Sequence, residues 1–145
     1  MGMLDTSTKF AIAQAVTSLG DTASTNTYDN GSANAGDLAL TQDLWLTVSC
    51  STTATSGGAG TLTPVLQDSA DGSTWADALV GPTSALAALV AGATLWQTSP
   101  PAGTRRYLRV VFRVGTAALT AGKFEAFIST DIQRNVARPS GFTVA

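Results

Sequence analysis

Residues 104–114 read "TRRYLRVVFRV", and the two parities of this stretch carry different chemistry. Arg105, Tyr107, Arg109, Val111 and Arg113 fall on one; Arg106, Leu108, Val110, Phe112 and Val114 fall on the other. A strand sends alternate side chains to opposite faces, so the segment predicts a strand with an apolar underside and an arginine row above it. Charged residues are only 12% of the chain, so such a row needs a reason.

The nearest partner in sequence is 123–131, across the loop "GTAALTAG". Matching the apolar parities of the two segments sets Phe112 opposite Ala126, Val110 opposite Ile128 and Val114 opposite Phe124. The same register sets Arg113 opposite Glu125, Val111 opposite Phe127 and Tyr107 opposite Asp131. A one-residue slip would bury the arginines, which selects this register for a hairpin. It leaves an exposed Val111–Phe127 pair in the middle of a charged face.

Other strands are expected at 8–18, around "STNTYD", over "DLWLTVSC" (43–50), and over 61–69, 73–79 and 93–99. Asp71-Gly72 between alternating runs marks a hairpin turn. Pro64 lacks a ladder donor and predicts an edge strand or a bulge. "STTATSGGAG" reads as a flexible loop, and 81–92 suits either a helical turn or a strand. Seven or eight short strands separated by glycine-rich turns predict an all-β antiparallel sandwich or barrel, the sandwich being favoured, with extended arms at both ends. The expected organisation is an N-terminal strand or arm (1–20), a sandwich domain (21–132) and a tail (133–145).

The chain has no histidine and one cysteine. The commonest general base and the Ser-His and Cys-His pairs are therefore missing, and zinc has no plausible ligand set. Cys50 shares the apolar parity of Leu46 and Val48 and is expected as buried filler. Asp68 and Asp71 flank a turn, and "DSADGS" lacks calcium-loop spacing. No catalytic, cofactor or metal site is expected. The N-terminus shows no secretory signal, and no run is long enough to span a membrane. Chance explains the myristoylation-like "MGMLDT" and the glycosylation-like "NGS" at Asn30–Ser32.

Residues 1–104 hold one lysine against eight aspartates, whereas 105–145 hold seven basic side chains against two acidic ones. Such asymmetry marks a nucleic-acid tail or two regions that attract each other. With two lysines in the whole chain, nucleic acid is the less favoured partner. A mixed Arg, Tyr and Phe patch fits an interface, and Tyr107, Arg109, Val111, Arg113, Glu125 and Phe127 are its candidate residues. The competing reading is a partly covered second face with arginines snorkelling to its rim. Trp45 and Trp96 are alternative sugar-stacking platforms, while Trp75 is expected to seal the core edge.

The segments "TLTPVLQDSADGSTW", "ALVAGA" and "PPAGTRRYLRVVFRVGTAALTAGKFEAFISTDIQ", preceded by "FAIAQAVT" and "ASTNTYD", resemble the capsid cement, or decoration, proteins of tailed bacteriophages over residues 4–133. The resemblance implies a jelly-roll sandwich on the outside of the virion, assembled in the host cytoplasm. Such a protein bridges major capsid protein subunits, often as a homotrimer. It implies no catalysis and no cofactor; Arg106, Tyr107, Leu108 and Arg109 form the strand entry, and Thr120, Ala121 and Gly122 a turn. The alternatives are a glycan-binding decoration or adhesin module and a tail or baseplate component.

Overall fold

The computed structural model describes residues 8–29 and 44–129. Among these residues ten strands run in the order β1 (Lys9–Ala15), β2 (Gly20–Ala23), β3 (Tyr28–Asp29), β4 (Trp45–Ser56), β5 (Thr61–Ser69), β6 (Ala76–Val80), β7 (Ser84–Ala85), β8 (Thr94–Thr98), β9 (Tyr107–Gly115) and β10 (Leu119–Ser129). They form two sheets, and every pairing is antiparallel. The four-stranded sheet has the order β1-β10-β4-β8. The other follows β2-β9-β5-β6, with β3 also on β9 and β7 also on β5.

The pairs β1–β10, β2/β3–β9, β4–β8 and β5–β6 trace one long antiparallel ribbon that folds back at the β5–β6 turn and wraps into two layers. This is jelly-roll connectivity. Only β5–β6 joins strands that are neighbours in both sequence and sheet in the way Asp71-Gly72 predicts. Gly72 takes φ +78 there, a conformation that glycine adopts without strain.

The same topology corrects the hairpin expected for 105–114 and 123–131. β9 and β10 lie in opposite sheets, joined by a crossing at 116–118. Their apolar parities do face each other, but across the core. The Phe112 and Phe124 ring centroids stand 5.7 Å apart, tilted by 32°. Leu108, Val110, Phe112 and Val114 from β9 meet Phe124, Ala126 and Ile128 from β10 in one buried cluster with Leu46, Val48, Cys50, Leu62 and Leu66. Phe112 is paired in its own sheet with Pro64 and Thr22.

Four further expectations change. β4 continues to Ser56 through the supposed loop, because β10 pairs with it as far as Leu119, opposite Ser56. Gly20–Ala23 forms a strand on β9, where a run of small polar residues gave no reason to expect one. Thr120, Ala121 and Gly122 lie within β10, at shifts in its register with β4, and not in a turn. Pro64 sits in an internal strand, but opposite the interval between β6 and β7, where Gly81 N–H donates to its carbonyl at 2.8 Å. The missing N–H therefore falls where the ladder is already interrupted.

The ambiguous 81–92 segment contains both expected forms. Ser84–Ala85 pairs with β5, and Leu86–Ala88 makes a 3-10 turn that delivers Leu89 to the core. Within the expected N-terminal segment 1–20, Lys9–Ala15 is a strand, and Phe10, Ala11 and Val16 are buried. The "MGMLDT" and "NGS" motifs and the 133–145 tail lie outside the described residues.

Phe112 is fully buried at the meeting of the two layers, so Phe112→Ala removes contacts from both. Denaturant unfolding should register a loss of about 3–5 kcal/mol, with the midpoint moving and the slope retained.

Candidate interaction face

The outer surface of the six-stranded sheet carries the arginine row, and its register orders the side chains into rows. Asp21, Arg113 and Thr63 lie side by side; next come Ala23, Val111, Val65 and Val80; then Arg109, Gln67 and Asp77; then Tyr107 and Ser69. Each row crosses the strands, so neighbouring rows are two residues apart along β9.

A network runs diagonally over these rows. Arg113 donates from Nε and Nη2 to the two Asp21 carboxylate oxygens at 2.7 and 3.0 Å, and from Nη1 and Nη2 to Asp77 Oδ2 at 3.3 Å. Gln67 Nε2 donates to Asp77 Oδ1 at 2.7 Å and its Oε1 accepts from Arg109 Nε at 2.9 Å. The Arg109 guanidinium carbon then lies 4.3 Å from the centre of the Trp75 ring. To join Asp21 and Asp77, Arg113 must pass above the valine row. Val65 and Val111, in the row it crosses, are 0% and 1% exposed although neither belongs to the central core.

At the end of β9 nearest the β5–β6 turn, Arg105 fastens Asp68 from several atoms. Nε and Nη2 donate to Oδ1 at 3.0 and 2.7 Å, the backbone N–H donates to Oδ2 at 3.0 Å, and Nη2 reaches the Asp68 carbonyl. Arg106 forks onto Asp29 at 2.8 and 3.0 Å and lies over the Tyr107 ring. The turn itself is tied by Asp71, whose Oδ1 accepts from the Ser73 and Thr74 N–H groups at 2.8 Å and from Ser69 Oγ at 2.9 Å. The turn leans over Tyr107 at Gly72 and carries Trp75 to Arg109.

These contacts shift the carboxyl groups downward. The Arg113 hydrogen bond lowers Asp21 against a smaller opposing effect of burial. Burial raises Asp68, but the hydrogen bonds from Arg105 together outweigh it and leave the group below its ordinary value. The Thr74 and Ser73 N–H groups bring Asp71 to about 2. Asp21 in turn raises Arg113 further, whereas burial lowers Arg109.

The expected interface residues therefore do not share a face. Tyr107, Arg109, Val111 and Arg113 lie on the outside of the six-stranded sheet, while Glu125 and Phe127 lie on the outside of the four-stranded one. Glu125 pairs with Ser49, and Phe127 with Thr47 and Lys9. Asp131 lies outside the described residues. Neither member of the Val111–Phe127 pair is exposed; Phe127 is buried at 7% exposure. Arg105, Arg106 and Arg113 pair with aspartates from the earlier part of the chain, so among the described residues the charge asymmetry reflects regions that attract each other within one sheet.

The tryptophans also move. Trp96 is half-buried and packs against the core, close enough to Gly81 that an added Cβ there would stand 2.7 Å from the indole. Trp75 does not close the core edge but lies over Arg109. Trp45 is half-buried, opposite Ser129. Cys50 is buried as expected; burial raises its thiol pKa, and Sγ lies 3.1 Å from the Thr52 carbonyl oxygen. Among the described residues no group of three or more His, Cys, Asp or Glu side chains could hold a metal ion.

Fold and surface together define a jelly-roll β-sandwich protein with one ion-paired sheet face. A family model described as Bbp16 matches residues 10–128, and the chain belongs to the Bbp16 family. No curated protein matches the sequence.

A carboxyl group whose folded-state pKa is depressed contributes stability above its unfolded value, near 4, and loses it as pH falls toward the folded value. Asp21, Asp68 and Asp71 all have this sign. Thermal unfolding should show a midpoint that changes little between about pH 5 and 8 and drops between about pH 4 and 2.

Proposed function

We propose that the protein is a non-enzymatic virion structural component that binds the outside of a phage capsid and stabilises contacts between major capsid protein subunits, acting as a homotrimer. The observation that carries this reading is the fixed outer face of the six-stranded sheet. Arg109, Arg113, Trp75 and Tyr107 are the side-chain types that interfaces favour, and Gln67, Asp21, Asp77 and the β5–β6 turn hold them in place before a partner arrives. A surface ordered in advance loses less side-chain entropy on docking. The sequence resemblance over residues 4–133 supports the same role, and the jelly-roll topology agrees with the architecture it implies. Repetition over a shell multiplies weak contacts into firm attachment.

Geometry gives the glycan-binding alternative less support. Trp96 is engaged by the core and Trp75 by Arg109, which leaves Trp45 as the platform to consider.

Purified protein mixed with expanded heads that lack it should sediment with them saturably and raise the temperature at which they rupture. Heads that neither retain the protein nor gain heat resistance would refute the proposal.

A further inference from the structure

Arg109 differs from the three other arginines of β9 and its approach. Arg105, Arg106 and Arg113 each fork onto an aspartate. Arg109 has no carboxylate partner among the described residues: its Nε is held by the neutral Gln67 amide, and its plane lies against Trp75. Neither terminal nitrogen, Nη1 nor Nη2, has an acceptor among those residues. The side chain is half-buried, and burial lowers its pKa with only the more distant Asp21 charge opposing. It is a desolvated cation, oriented from two sides, with its paired donors unspent.

From this geometry we infer that Arg109 is the anchor of the interface, and that its terminal nitrogens take a single Asp or Glu carboxylate of the capsid subunit as a bidentate pair. The inference rests on the capsid-binding reading above and specifies its partner chemistry. A carboxylate matches the guanidinium fork, and a pair buried on docking is much stronger than one left at a wet rim. The surroundings select against a polyanion. Asp21, Asp29, Asp68, Asp71 and Asp77 outnumber the four arginines on and around this face among the described residues, so a nucleic-acid backbone would meet repulsion on either side of Arg109. Val80, 53% exposed and in the row beside Arg109, offers adjoining apolar contact. Trp75 and Arg109 are also the residue types that concentrate binding energy.

Two readouts test this. In head sedimentation, Arg109→Ala should weaken binding by about 30-fold or more, with Arg109→Lys intermediate because it keeps charge and loses the fork. Circular dichroism and thermal unfolding of both variants establish that the sandwich is intact. Independently, the arginine side-chain NMR signals of the wild-type protein should respond to sodium acetate first at Arg109, well before Arg105, Arg106 or Arg113, and more than to sodium chloride. Folded Arg109→Ala that binds heads like the wild type overturns the inference, as does an Arg109 signal no more responsive than that of Arg113. Wild-type protein that ignores heads while Arg109 still answers acetate would remove the capsid reading and leave carboxylate recognition standing. Self-association abolished by Arg109→Ala, without head binding, would place the carboxylate on a second copy and overturn the assigned occupant. A stronger response to sodium phosphate than to acetate would overturn the carboxylate.

Discussion

The outer face of the six-stranded sheet depends on Arg113 reaching two aspartates at once. Val65 and Val111 point away from the core, where a sandwich ordinarily meets water, yet they are as dry as the residues inside. The Arg113 side chain, bonded to Asp21 on β2 and to Asp77 on β6, crosses the row in which they lie. One long side chain thereby links the two edges of a four-strand path. Each ion pair is more than a third exposed on at least one side, and such pairs separately contribute little. Their value here comes from geometry: the network fixes stems that pack and heads that present.

Chain topology explains why the charges are segregated along the sequence. A jelly-roll ribbon lays the returning strand β9 between β2 and β5, which come from the outgoing half. Arginines concentrated on the returning strand therefore meet aspartates placed on the outgoing strands and at the fold-back. Asp21 is 92 residues from Arg113, Asp29 is 77 from Arg106, and Asp68 is 37 from Arg105. Pairs this far apart in sequence form only when the wrap is correct, so the face also reports on the topology. The same wrap brings Gln67 and Trp75, from one motif segment, beside Arg109 from another.

Alternation made the inward and outward faces of β4, β9 and β10 legible, because side-chain parity is a local property of an extended chain. It did not identify neighbours. β9 and β10 looked like a hairpin because their apolar parities matched, and opposing layers of a sandwich match in the same way. β5–β6 was recoverable since its turn has its own chemistry at Asp71-Gly72. The second half of β4 was missed because "STTATS" has no apolar alternation; its order comes from β10 and from backbone bonds such as Ala54 N–H to the Leu89 carbonyl. At the candidate site the arginine row was legible and its partners were not, although the acidic-then-basic distribution of charge already contained them. The burial of Val111 could not be read locally, since its neighbours on that face, Ala23 and Val65, come from two other strands.

Arg113 is held by aspartates from the earlier part of its own chain. The most direct measurement is a double-mutant cycle on the Asp21–Arg113 pair by denaturant unfolding, using Asp21→Arg, Arg113→Asp and the charge-swapped double variant. Each single change should destabilise the fold, and the swap should recover a coupling of about 1 kcal/mol. A double variant that loses the full sum of the two single effects would contradict it.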